Sequence, residues 1–194
     1  MLVVAGPAGS GKSNAFPVAE LASQLGIRAF NIDDRCAELN AGRYQQIPPE
    51  IRARAQAECE RFVESCIASR IGFTTETTLR SRAAIEQAKR ASATGFVTRM
   101  FYVATADVAL NVERIRRRGL GGGHSAPAAT IREIHAASLA NLPAALHAFN
   151  EVSIFDNTGA GPVLVAESSN SVLVHHLSPE WLRRALDGTE FAVR

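Results

Sequence analysis

At 194 residues, with 46% hydrophobic and 21% charged residues, the chain has the size and composition of one globular domain with a substantial core. A formal net charge of +2 gives no electrostatic footprint for nucleic acid or a membrane surface, so neither is expected as a partner. Three cysteines without metal-ligand spacing argue against a disulfide framework, and no apolar run reaches transmembrane length.

Leu2–Ala5 reads as a short buried strand, and Gly6-Pro-Ala-Gly-Ser-Gly-Lys12-Ser13 follows it directly. This is the G-x-x-x-x-G-K-[ST] phosphate loop in its proper strand-to-helix setting. Its glycines allow the turns that aim successive N–H groups at phosphate oxygens. Lys12 places a point charge on the outer phosphates, the Ser13 hydroxyl can ligate Mg²⁺, and the following helix adds its positive end. Gly6, Pro7, Ala8, Gly9, Ser10, Gly11, Lys12, Ser13 and the adjoining Asn14 are therefore the candidate nucleotide-binding residues, with ATP and Mg²⁺ as the implied ligands. Four apolar residues ahead of a glycine loop are too few for a signal peptide, so a cytoplasmic location is expected.

The loop helix should run from about Gly11 to Leu25, with Pro17 as a kink point. Ala29–Ile32 is a second strand ending at Asp33 and Asp34. Pro49 opens a long helix from Glu50 to about Arg70, with Ile51, Ala55, Cys59, Phe62 and Cys66 on one stripe. Cys59 and Cys66 then share a face, as small buried hydrophobes in a reducing compartment. Gly72–Glu76 is a third strand, Ala83–Ala93 a helix closed by Gly95, and Val97–Ala104 a fourth strand. Asp107 caps a helix reaching Arg118, and the glycine tract from Gly119 leads to His124. Thr130–Phe149 is another helix, kinked or split by Pro143. Glu151–Phe155 is a fifth strand ending at Asp156 and Asn157, followed by a hairpin through Ser168–Ser171 and a closing helix, Pro179–Leu186. The alternation predicts an α/β fold: a P-loop three-layer sandwich around a mostly parallel five-stranded sheet, plus the C-terminal hairpin, in one domain.

In open sheets of this kind, ligands gather beyond the carboxyl ends of the strands, where Asp33, Asp34, Glu76, Asp156 and Asn157 fall. No apolar strand ends in the Asp-Glu of a motor ATPase, and no Asn-Lys-x-Asp guanine-reading motif is present. Arg114, Arg116, Arg117 and Arg118 form a cluster before the glycine tract. Guanidinium groups there can neutralise a transferring phosphoryl group while closure excludes water. Arg114 and Arg118 are four apart and share a helical face, which makes them the candidate pair. The bland reading pairs each arginine with a neighbouring acid. Residues of about 114–130 would form a lid.

These elements resemble the zeta toxin-like kinases, particularly their compact bacterial branch. The resemblance rests, in order, on the phosphate loop, Asn31-Ile-Asp-Asp34, Phe73-Thr-Thr-Glu-Thr-Thr-Leu79, Arg114 with Arg118, Gly122-Gly-His-Ser-Ala-Pro127, Ser138-Leu-Ala-Asn-Leu142 and Asp156-Asn-Thr158. It implies ATP-dependent phosphorylation of a sugar hydroxyl, with a nucleotide sugar such as UDP-N-acetylglucosamine as acceptor and an antitoxin as protein partner. By that resemblance Asp33 is the base, with Asp34 its rival. Glu76 orients the acceptor or the Mg²⁺ shell with Thr78 beside it, and Arg114 or Arg118 clamps the γ-phosphate. His124 either touches phosphate or anchors its loop. Asp156 and Asn157 either shape the adenine pocket or form a structural turn.

The chain departs from the family pattern at Asn14, at Ile134, His135 and Ala137, and across Cys36–Pro49. The residues at Ile134 and Ala137 motivate an alternative, an ATP-binding regulatory protein with little chemistry. An oligomeric ATPase would need an arginine from a neighbouring subunit.

Overall fold

The computed structural model describes residues 1–121 and 126–192. Its centre is one seven-stranded sheet rather than five strands with a separate hairpin, in the order β2-β3-β1-β4-β5-β6-β7. The strands are β1 (Leu2–Ala5), β2 (Arg28–Phe30), β3 (Phe73–Thr77), β4 (Arg99–Ala104), β5 (Glu151–Asp156), β6 (Val163–Ser169) and β7 (Val172–His175). The first five run parallel, as expected. The hairpin pairs antiparallel onto β5 and so extends the same sheet. Its two-residue turn, Asn170 and Ser171, has φ of +47° and +64°, a backbone twist that suits tight hairpins.

Successive residues of a strand face opposite sides, and this sorts the sheet. Val3 and Ala5, Phe73, Met100, Tyr102, Ala104, Val152 and Ile154 all enter one core. That face is covered by α4 (Pro49–Ala68), α5 (Ala83–Ala93), α7 (Ala128–Ala148) and α8 (Glu180–Leu186), through residues such as Val63, Ile85, Leu142 and Leu182. Right-handed crossovers send the chain leftward from β1 to β2 over one face and rightward to β3, β4 and β5 over the other. The connection leaving β1 and those leaving its neighbours β3 and β4 depart toward opposite edges of the sheet, so the crevice beyond the carboxyl end of β1 is where a ligand site is built. Tyr102, fully buried, satisfies its hydroxyl on Ser138 of α7 at 3.1 Å.

Three local expectations need correction. The loop helix is not continuous. It comprises one turn, α1 (Lys12–Ala15), and a second helix, α2 (Val18–Leu25), that starts after Pro17. Phe16, at the break, packs between Phe101 and Phe155 with ring centroids 5.0 and 4.7 Å away. Proline supplies no N–H to continue the ladder, and the aromatic wedge fixes where the chain turns. Second, the strand before Asp33 stops at Phe30. Asn31 caps a helix, α3 (Ile32–Leu39), by accepting from the N–H groups of Asp33 at 2.9 Å and Asp34 at 3.3 Å. Third, of the two outcomes expected at Pro143 the split does not occur, because the proline lies inside the single helix α7.

Asp107 caps α6 (Val108–Leu120), accepting from the Ala109 N–H at 2.8 Å. Among the described residues no helix is long and apolar enough to cross a membrane. All three cysteines are free and buried, on α3 and α4. Burial pushes the Cys59 thiol up to about 11, with Cys36 and Cys66 also raised chiefly by burial. Because thiolate is the reactive form, the native protein at pH 8 should show no promptly reacting thiol with a disulfide reagent. All three should titrate in denaturant; prompt labelling of Cys36 would contradict the packing of α3 on α4.

Candidate active site

The chain leaves β1 at Gly6, which lies so close to the Val103 carbonyl of β4 that a side chain would have no room. The loop then folds on itself, the Ser10 N–H bonding the Pro7 carbonyl at 3.2 Å. Lys12 turns back over it, its Nζ donating to the same carbonyl at 3.0 Å. At 5% exposure this ammonium is buried, and burial lowers its pKa. The charges of Glu76 and then Asp33 oppose that shift, while the positive charge of Arg118 adds to it. Lys12 is therefore the point where the loop, β3, α3 and α6 meet electrostatically.

Glu76 is the nearest acid. Its Oε1 lies 3.8 Å from Lys12 Nζ, and the Ser13 hydroxyl donates to Oε2 at 3.0 Å and to Oε1 at 3.2 Å. Its neighbour across the sheet is Val4, so β3 carries the carboxylate beside the strand that delivers the loop. Thr78, half-buried, follows on the turn that closes β3. That turn is held by the Leu79 N–H to Thr77 Oγ1 at 3.2 Å and by Asn141 Nδ2 to the Leu79 carbonyl at 3.0 Å.

Asp33 and Asp34 sit in the first turn of α3 rather than at a strand tip. Asp33, 48% exposed, lies 3.6 Å from the Arg52 guanidinium of α4, so its carboxylate stays open to an incoming group. Asp34 is engaged otherwise, accepting from the Tyr44 hydroxyl at 2.9 Å. The segment that carries Tyr44 is tied to α6 through Gln45 Nε2, which donates to the Gly119 carbonyl at 2.7 Å. Sequence reading gave no sign of Arg52, Tyr44 or Gln45, because each acts through a tertiary contact.

The arginine cluster separates into three environments. Arg116 and Arg117 both bond Glu113 on their own helix, the bland arrangement. Arg114 points to the loop, with Nη2 on the Asn157 carbonyl at 3.0 Å. Its Nη1 is buried without a hydrogen-bond partner among the described residues. Arg118 is exposed, and among the described residues no carboxylate pairs with it. The shared face expected for Arg114 and Arg118 thus divides between the loop flank and the open mouth. His124 lies outside the described residues.

Asn157 is placed against the loop, its Nδ2 donating to the Ser10 carbonyl at 2.7 Å. Its neighbour Asp156 is structural: Trp181 Nε1 of α8 donates to Oδ2 at 2.9 Å, and the Thr158 N–H donates to Oδ1 at 2.8 Å. A second amide missed in the sequence, Asn111 of α6, is fully buried and donates through Nδ2 to the Ala8 carbonyl at 2.7 Å. Asn14 is exposed on α1.

The donor set suits a hard divalent cation that keeps waters and shares phosphate oxygens: one hydroxyl, Ser13, and one carboxylate, Glu76, already in contact. Among the described residues no group of three or more acids, histidines or cysteines forms a protein-only metal cage.

Solved structures share this architecture at low sequence identity. The complex of AvrRxo1-ORF1 and AvrRxo1-ORF2 with ATP matches with a TM-score of 0.69 at 14% identity, over 90% of this chain. This chain spans about 60% of the length of that matched chain. The PezAT chromosomal toxin–antitoxin system of Streptococcus pneumoniae matches with a TM-score of 0.62 at 16% identity, over 86% of this chain and 71% of that one. An unliganded sugar kinase from Janibacter sp. HTCC2649 gives 0.51 at 16% identity, over 100% of this chain and 98% of that one. These likenesses show the fold alone, an α/β architecture around a mostly parallel sheet. No curated protein matches the chain by sequence. A family model described as an AAA domain matches residues 1–139, most of the chain and all of the phosphate-loop half, so the chain belongs to this AAA domain family.

Proposed function

We propose that the protein is an ATP-dependent phosphotransferase of zeta toxin-like type, moving the γ-phosphate of ATP to a hydroxyl of a small cytoplasmic acceptor. The first acceptor class to test is a nucleotide sugar such as UDP-N-acetylglucosamine. The observation that carries this reading is the convergence on Lys12. Its ammonium lies 3.8 Å from Glu76 and feels the charge of Asp33, so donor loop and candidate base open on one mouth.

In this reading the loop residues Gly6 to Ser13, with Asn14 beside them, hold the triphosphate, and Lys12 neutralises its outer charge. Ser13 and Glu76 would hold Mg²⁺, which supplies charge neutralisation at the β- and γ-phosphate oxygens when bound. Asp33 accepts the proton of the acceptor hydroxyl as that oxygen bonds the γ-phosphorus. The bond from phosphorus to the β-γ bridging oxygen breaks, and ADP leaves. Asp34, held by Tyr44, and Thr78 flank the acceptor. Arg118, open at the mouth, suits the γ-phosphate clamp, whereas Arg114 supports the loop flank. The naming of PezAT as a toxin–antitoxin system supports an antitoxin as the protein partner.

Incubation with ATP, Mg²⁺ and a panel of nucleotide sugars and other hydroxylated metabolites, read by mass spectrometry, should reveal one acceptor gaining a phosphate. A protein that binds ATP tightly yet phosphorylates nothing in the panel would instead be a nucleotide-dependent regulator. With the acceptor in hand, Asp33→Asn should lower kcat by about 10²–10⁴-fold, the usual worth of a general base, with ATP affinity retained. An unchanged kcat would remove Asp33 from the base role. Glu76→Gln should also move the pH dependence of ATP binding. The Glu76 charge raises the Lys12 pKa against burial. Without it the ammonium loses its proton at lower pH, so the alkaline fall in affinity should begin earlier in the variant.

A further inference from the structure

The phosphate loop has two peptide groups whose carbonyls are held from outside it by side-chain amides. Asn111, from α6, takes the Ala8 carbonyl, and Asn157, from the end of β5, takes the Ser10 carbonyl, each at 2.7 Å. In a trans peptide the C=O and the next N–H point in opposite directions. Pulling the Ala8 carbonyl outward therefore aims the Gly9 N–H inward, and pulling the Ser10 carbonyl outward aims the Gly11 N–H inward.

Close packing at the same two positions supports this pairing independently. A Cβ on Gly9 would run into the Asn111 backbone carbonyl, and one on Gly11 into the Asn157 side-chain amide. Both glycines have left-handed φ, +78° and +88°. Each asparagine thus sits against the glycine whose N–H it orients. The amides are themselves held. Thr105 Oγ1 donates to Asn111 Oδ1, which leaves Nδ2 to face Ala8. The Asn157 backbone is fixed at both ends, its N–H on the Ala104 carbonyl at 2.8 Å and its carbonyl on Arg114 at 3.0 Å.

We propose that Asn111 and Asn157 are positioning residues that preorganise the phosphate cradle, one for the Gly9 N–H and one for the Gly11 N–H. The proposal rests on the phosphate-loop reading above, and it gives Asn157 a role on the loop rather than on the base of the nucleotide. Fixed dipoles need no reorientation when the anion arrives, which is where preorganisation gains affinity. It also explains why the helix bearing the arginines is coupled to the loop: Asn111 and Arg114 leave the same α6.

The test uses tripolyphosphate, a phosphate probe without a base, on the full chain labelled with ¹⁵N-glycine. In the native protein the probe should shift the Gly9 and Gly11 amide resonances together. Asn157→Ala, at a half-buried position, should weaken tripolyphosphate by about tenfold, the worth of one hydrogen bond of this kind. It should abolish the shift of Gly11 while that of Gly9 persists. Thr105→Val, which frees the Asn111 amide without emptying its place, should do the converse. Both glycines moving alike in either variant, the mark of a generally loosened fold, would overturn the separate positioning roles. Variants with native affinity and both shifts intact would overturn the proposal alone. A native protein that binds neither tripolyphosphate nor ATP would overturn the phosphate-loop reading and the proposal with it.

Discussion

A buried ammonium is the constraint around which the rest of this site is arranged. Lys12 is 5% exposed, and a charge taken out of water must find partners or lose its proton. Its partners come from three directions: the Pro7 carbonyl of its own loop, Glu76 from β3, and the field of Asp33 from α3. Arg118 opposes them, and burial, the largest effect, still leaves the Lys12 pKa lowered, so the ammonium is short of the counter-charge that would offset its loss of water. A polyanion entering there would supply what is lacking, and that is the electrical logic of a triphosphate site.

The sheet exists, in this sense, to deliver those groups to one end. β1 ends in the loop, β3 lies beside it with Glu76, and β4 lies on its other side with Val103 against Gly6. β5 ends at Asn157, whose turn is anchored through Asp156 to Trp181 of α8. The last helix thereby stabilises a loop at the other extremity of the chain. The core beneath, with Tyr102 satisfied by Ser138, keeps these strand ends in register.

Local patterns in the sequence carried much of this. The phosphate loop, the parallel strands, the Asp107 cap and the stripe of α4 all depend on residues close together in the chain. What escaped were features decided at a distance. Ala29, Phe30 and Ile32 read as a strand, but the Asn31 side chain caps the N–H groups of the two acids that follow and starts α3 instead. The break of the loop helix depends on Phe16 finding Phe101 and Phe155, which no local window contains. Helical spacing put Arg114 and Arg118 on one face, but the Asn157 carbonyl claimed only Arg114. Asn111 belongs to no motif, and its importance follows only from Ala8 lying beside it.

In the proposed reaction, phosphate held over Lys12 passes to an acceptor hydroxyl with help from Asp33. ³¹P NMR of the protein with ATP, Mg²⁺ and the metabolite panel tests it most directly. A new phosphomonoester resonance should grow in step with ADP and be absent when Asp33→Asn replaces the native protein. ADP matched by inorganic phosphate alone, with no phosphomonoester from any acceptor, would contradict it.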